Sequence, residues 1–332
     1  MLSYIAYRLL QFVPLLIAIS LLAFAIIELP PGDYLTMHVY QLEQSGTRVS
    51  EAEIARLTQQ YGLDKPITQR YLLWMWNMLR HGNLGRSFQW NQPVTQVIGD
   101  RITLTFVMSL LSLLFVWAVS IPIGIYAATH QYTLFDYIFS FLGFIGMAVP
   151  GFLLALVVMF YAFKYLNISV TGLFSPEYVD APWSWAKVAN MMKRIWLPMI
   201  IIGISSTAAL IRVMRGTLLD ELRKPYVVTA RAKGLVERKL LFKYPVRIAI
   251  NPMISTIGWV LPGLVSGSAL VSIVLNLPTM GPILLRALMA QDMYLAGSFV
   301  MIISLLTVTG TLISDILLAA VDPRIRYGGG GR

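Results

Sequence analysis

Cysteine is absent from the 332 residues, which excludes disulfides, thiol catalysis and cysteine-held metals and leaves the redox compartment undetermined. Charge is scarce: Asp, Glu, Lys and Arg make up 13% of the chain, about half the quarter that a soluble domain carries. The three histidines, His38, His81 and His130, are far apart in sequence and read as surface residues. No Gly-x-x-x-x-Gly-Lys-Ser/Thr phosphate loop occurs, and Lys233-Gly234 has the reverse order. The chain therefore cannot be its own ATPase by that mechanism, and energy for any work must come from another subunit or a gradient. No His/Asp/Glu cluster has ligand or acid–base spacing, which argues against a membrane-embedded enzyme.

What is present is apolar sequence, 57% of all residues, with a mean hydropathy of +0.68. A length that would suggest two soluble domains instead reads as a polytopic, all-α membrane protein. Uncharged runs place the spans at Leu9–Ile27, Ile102–Thr129, Tyr137–Phe163, Ile195–Ile211 (extending to Met214) and Met293–Ser314. Residues 248–285 form a further uncharged run, too long for one crossing and interrupted by Pro278, Gly281 and Pro282. It predicts a span over Met253–Leu275 followed by a re-entrant or surface segment through Ala290. The first span is expected to be retained rather than cleaved as a leader, because its apolar run exceeds a signal core and only Arg8 supplies a charged head.

Charge sets the orientation. Arg212 to Arg247 holds ten Lys/Arg against Asp220, Glu221 and Glu237, and so supplies most of the net +10. A loop that basic stays on the cytoplasmic side, a better account of the surplus than nucleic-acid binding. The basic tail Asp322-Pro323-Arg324-Ile325-Arg326 should share its side, which requires two crossings after the loop, hence six spans with both termini cytoplasmic. Glu28 to Arg101 balances seven acids with seven bases and is expected to be a helical extracytoplasmic insertion. Within it Ser50–Gln60 predicts a short amphipathic helix, and Tyr71–Leu79, with Trp74 and Trp76, an interfacial one. Residues 102–327 form the transmembrane core with a cytoplasmic loop at 215–247, and 328–332 a flexible tail.

Within the spans the charges are few: Asp136 and Arg212 at span ends, and Asp315 near the close of the last. A proton-coupled carrier should bury more of them. Pro150-Gly151 and Pro262-Gly263 sit mid-span. They either line a passage with irregular backbone or pack helices closely, the second being expected for Gly263 and Gly267.

The basic loop has internal order. Pro225 can open a helix, Val227–Lys233 lacks breakers, Gly234 suits a left-handed cap, and Glu237–Phe242 starts a second piece halted by Pro245. The product is an elbow on which small Ala230 and Ala232 permit close approach of a partner, and Arg231 and Lys233 can pair with its acids. The order Tyr226-x-x-Thr229-Ala230-Arg231-Ala232-Lys233-Gly234 resembles the coupling loop of ATP-binding-cassette importer permeases of the dipeptide/oligopeptide/nickel family. Tyr4–Leu10, Tyr61–Pro66 and Gly82–Ser87 resemble other signatures of that family, although Asn83 stands where an acid is usual and Pro245 where the helix normally continues.

The resemblance implies a type I importer permease fold and a multi-pass subunit of a bacterial inner membrane. It implies a second related permease, two cassette ATPases that bind the ATP and Mg (this chain holding no cofactor or metal), and an extracytoplasmic solute-binding protein. It implies that Ala230, Arg231, Ala232, Lys233 and Gly234 contact the ATPase, supported by Tyr226 and Thr229, and that the cargo is a peptide, an oligosaccharide or a metal chelate. An autonomous secondary carrier is the alternative.

Overall fold

The computed structural model describes residues 2–28, 55–56, 58–59 and 64–321. The 50–60 helix expectation falls almost wholly outside these residues, as do the basic tail and the terminal glycines. The described chain is helical: α1 Leu2–Glu28, α2 Ile67–His81, α3 Val94–Thr129, α4 Leu134–Ala148, α5 Gly151–Leu166, α6 Trp185–Leu222, α7 Pro225–Ala232, α8 Glu237–Lys243, α9 Pro245–Ala249, α10 Asn251–Ser255, α11 Ile257–Val274, α12 Met280–Met289 and α13 Met293–Val321. Among the described residues no strand forms; one isolated bridge pairs Arg86 with Pro93. By length and composition α3, α6 and the Tyr294–Leu318 part of α13 can cross a membrane, and the α4–α5 pair makes a fourth crossing if counted as one span.

Three expectations change. The predicted span Tyr137–Phe163 is two helices bent by 101° at Val149-Pro150, because proline cannot donate into the preceding turn and its neighbour is pushed to extended backbone. The fourth span belongs to a helix of 38 residues, whose charged ends lie beyond the apolar window. Ser184 caps it, accepting from the Lys187 backbone N–H at 3.2 Å. Span five begins later than predicted, at Ile257, preceded by the short helices α9 and α10. The α11 helix runs across Pro262, so Pro262-Gly263 is no break, and a Cβ added at Gly263 would meet nothing within 4 Å.

The chain divides into two compact units. The first is built mainly from 104–278, and α6 is its axis. Helix α4 lies along it, with Gly146 facing Ile204 and Ala208 and Ser205 Oγ donating to the Gly146 carbonyl at 2.8 Å. Helix α3 comes closer still: a Cβ added at Gly124 would stand 2.6 Å from Met214 Cβ. Leu at position 124 is therefore expected to push α3 off α6 at the usual overpacking cost of about 1–3 kcal/mol. A folding assay in detergent should show a lower unfolding midpoint for Gly124→Leu and little change for Gly216→Leu, where nothing lies within 4 Å. In the loop before α6, buried Lys187 donates to the carbonyls of Val179 and Ala181 at 3.2 and 2.6 Å. Its ammonium also lies over the rings of Phe174 and Trp183, at 4.9 and 5.2 Å.

The second unit comprises residues 9–103 and 279–305. Helix α2 ends on Gly82, at φ 61, a left-handed stop that glycine adopts freely. One face of α2 buries Trp74 against Phe24, ring centroids 6.2 Å apart. The other exposes Leu72, Trp76 and Leu79, as an interfacial helix requires. The segment expected to be re-entrant or superficial is α12, which packs Met280, Ile283 and Ala287 on Val94, Val97 and Ile98.

The Gly82–Ser87 signature acquires a structural role in this unit. Gly85, at φ +93, lies where a Cβ would meet the Tyr294 ring at 2.6 Å. Ser87 Oγ donates to fully buried Asp292 at 2.5 Å. Asp292 also accepts from Gln89 N–H and caps α13 through Leu295 N–H. Burial pushes its carboxyl up, against the downward pull of those donors.

Candidate functional site

The elbow folds as the loop sequence predicts. Lys224 is extended, Pro225 opens α7, and Gly234 closes it at φ 76, donating to the Arg231 carbonyl at 3.0 Å. Helix α8 follows and stops at Tyr244, so that Pro245 starts α9 instead of kinking a longer arm. The two arms share a small core of Val227, Ala230 and Leu240, closed by Leu235 and Tyr244.

That core and an adjoining ion pair bear on two sequence readings. Ala230 is buried inside the elbow, so it serves the packing of α7 on α8 and not the approach of a partner. Arg231 is already engaged: its guanidinium forks onto the Glu237 carboxylate. The fork holds Glu237 below the usual carboxylate range and raises Arg231 further. A depressed folded pKa means that the pair supports the elbow above the ordinary glutamate range and is lost as pH falls through the lowered value. Both side chains are exposed, so the contribution is small.

The remaining site residues divide by role. Tyr226 Oη donates to Glu221 at 2.5 Å, and burial together with that carboxylate pushes the phenol up. Thr229 Oγ1 returns to the Pro225 carbonyl at 2.9 Å, a bond within α7. Ala232, Lys233 and Gly234 are exposed. Around a Cβ added at Gly234 there is open space, so this glycine is required by its φ and not by close approach. Gly234→Ala is expected to destabilise the elbow by about 1–2 kcal/mol through left-handed backbone strain alone. Faster hydrogen exchange confined to 225–243 would register it.

Sequence reasoning missed the apolar part of the exposed face. Val228 is 56% and Val236 72% exposed, beside Ala232 and Lys233. The i, i+4 spacing of Val228 and Ala232 on a short helix carried that signal, masked by the surrounding charge. The segment that follows the elbow, α9 and α10, is packed on α6. Val246, Ala249 and Met253 pack on Leu210, Met214 and Leu218, and Thr217 Oγ1 donates to the Ala249 carbonyl at 3.2 Å. The site therefore offers no chemistry. It is a small two-helix knob with exposed apolar and basic residues, joined through α9 and α10 to α6. Among the described residues no three His, Asp or Glu come together as a metal-ligand set.

Comparison with known proteins finds relatives over nearly the whole chain. A family model described as "Binding-protein-dependent transport system inner membrane component" matches residues 120–327, and its N-terminal companion matches 1–109. The oligopeptide transport system permease protein AppB of Bacillus subtilis (strain 168) is 32% identical over 328 residues, covering 98% of this chain and 100% of its own. The inner membrane ABC transporter permease protein YejB of Escherichia coli O157:H7 is 31% identical over 366, covering 98% and 99%.

Proposed function

Because the chain belongs to the family of binding-protein-dependent transport system inner membrane components, and is thus a multi-pass, non-catalytic translocation subunit of an ATP-driven importer, we propose that it forms part of a peptide path and receives its motion through the 226–234 elbow. The single observation carrying this reading is the exposure of Val228, Ala232, Lys233 and Val236 on an elbow whose continuation at Val246–Met253 is packed on α6. Such a knob can push a helix when its partner moves and can do little else.

In this reading α1, α3, the α4–α5 pair, α6, α11 and α13 are six spans. Both termini and the elbow lie in the cytoplasm. A second, related permease completes the path, and two cassette ATPases, which bind the ATP and Mg, seat the elbows. A solute-binding protein docks on the extracytoplasmic insertion over 28–101. When ATP closes the ATPase dimer the elbows approach, α6 swings, and the cavity opens outward to take cargo from the binding protein. The peptide assignment is supported by the oligopeptide permease relative; oligosaccharide and metal-chelate cargoes are the competing members of the same class.

Reconstituting the chain with its ATPase, permease and binding-protein partners in proteoliposomes tests the proposal. ATP-dependent uptake of a labelled oligopeptide is expected. Uptake driven by a proton gradient with the chain alone would replace this reading with a secondary carrier.

A further inference from the structure

We propose that Asp136 and Arg215 form a positioning clasp that passes displacement of the elbow from α6 to α4, an inference that rests on the function proposed above. Asp136 is the sole charged residue of α4, and its side chain is 4% exposed. Arg215 grips it with both arms of the fork, Nε to Oδ1 at 3.0 Å and Nη2 to Oδ2 at 3.0 Å. The turn before α4 is wound round the same carboxylate. Tyr132, in left-handed backbone at φ 62, donates its N–H to Oδ2 at 3.0 Å, and Thr133 caps the helix and donates to the His130 carbonyl.

The placement of Arg215 matters. It lies on α6 between Met214, packed on the elbow's continuation at Val246–Met253, and Thr217, bonded to Ala249. One turn of α6 therefore holds the elbow's continuation and, through Arg215, α4. Higher up, α4 meets α6 through Gly143, Gly146, Ala208 and Ser205, and Arg212 lies 4.9 Å over the Phe144 ring. These small residues let α4 approach α6 closely along its length. A forked ion pair fixes axial register, because both bonds are directional. For stability alone an apolar pair would serve as well, since burying the Asp136 carboxylate is costly. Above the clasp α4 ends at the 101° bend, where α5 turns away. A push on α6 at Arg215 thus reaches the start of α4 in fixed register through Asp136.

The experiment uses the full reconstituted transporter. Spin labels at Leu134→Cys and Arg223→Cys, both exposed sites in a chain without native cysteine, report the distance between the α4 start and the α6 end. In the wild-type background this distance should be the same without nucleotide and with ATP trapped. A shift between those states overturns the proposal without any substitution in the clasp.

Asp136→Asn, nearly isosteric, should then let the distance broaden between states. Peptide uptake per ATP hydrolysed should fall about tenfold, a typical coupling magnitude, with hydrolysis maintained. Parallel loss of hydrolysis and uptake at an unchanged label distance would mean a merely structural pair and would overturn the clasp. Wild-type transport without ATP dependence would instead sink the underlying function, so the two failures are distinguishable.

Discussion

Leu240→Ala should abolish uptake while leaving the chain inserted in the membrane. Leu240 is fully buried in a core with only Val227 and Ala230 as other buried members. Truncating a core leucine costs about 2–5 kcal/mol. Helices of eight and seven residues have no independent stability to set against that, since isolated helices below about 12–15 residues are marginal in water. The elbow should melt as a unit. Hydrogen exchange protection is expected to vanish across 225–243 and persist in α3 and α6, with uptake reduced at least about a hundredfold and ATPase binding lost. Uptake at the wild-type level with an unprotected elbow would mean that no ordered knob is needed.

Reversing charge at Arg231 and Lys233 together is the second large effect. Arg231→Glu removes an internal pair and sets two carboxylates against each other at Glu237. Lys233→Glu reverses the open face itself. The double variant should insert normally and lose uptake by about tenfold or more, as expected when a docking charge is reversed. Adding Glu237→Arg to Arg231→Glu rebuilds the internal pair with swapped ends. That variant should regain uptake as long as Lys233 is intact. Failure to regain it would place Arg231 in direct contact with the partner instead.

Much of the elbow was legible because short-range rules govern it. Pro225 at a helix start, Gly234 at a left-handed stop and Pro245 as terminator act within a few residues, and each stands where those rules put it. What α7 buries depends on α8 folding back, so Ala230 was assigned an outward role that tertiary packing overrides, and the pairing of exposed Arg231 with Glu237 was not foreseen. The spans were legible as apolar runs, but hydropathy cannot register a change of direction. Pro150-Gly151 bends the chain by 101°, whereas Pro262 leaves α11 continuous, and the local dipeptide is the same. The Asp136–Arg215 pair was hidden for another reason. Its members are 79 residues apart, and Arg215 was counted among the charges that set topology. Ser87 and Asp292, joined across 205 residues, escaped notice in the same way.

All of the mechanism depends on the elbow facing the compartment where ATP is hydrolysed. A single cysteine at Lys233, introduced into a chain with no other, can be challenged with a membrane-impermeant sulfonated maleimide. The account predicts no labelling in intact spheroplasts, rapid labelling in inverted vesicles, and protection there by the bound ATPase subunit. Labelling in intact spheroplasts would put the elbow on the outer face and contradict the account.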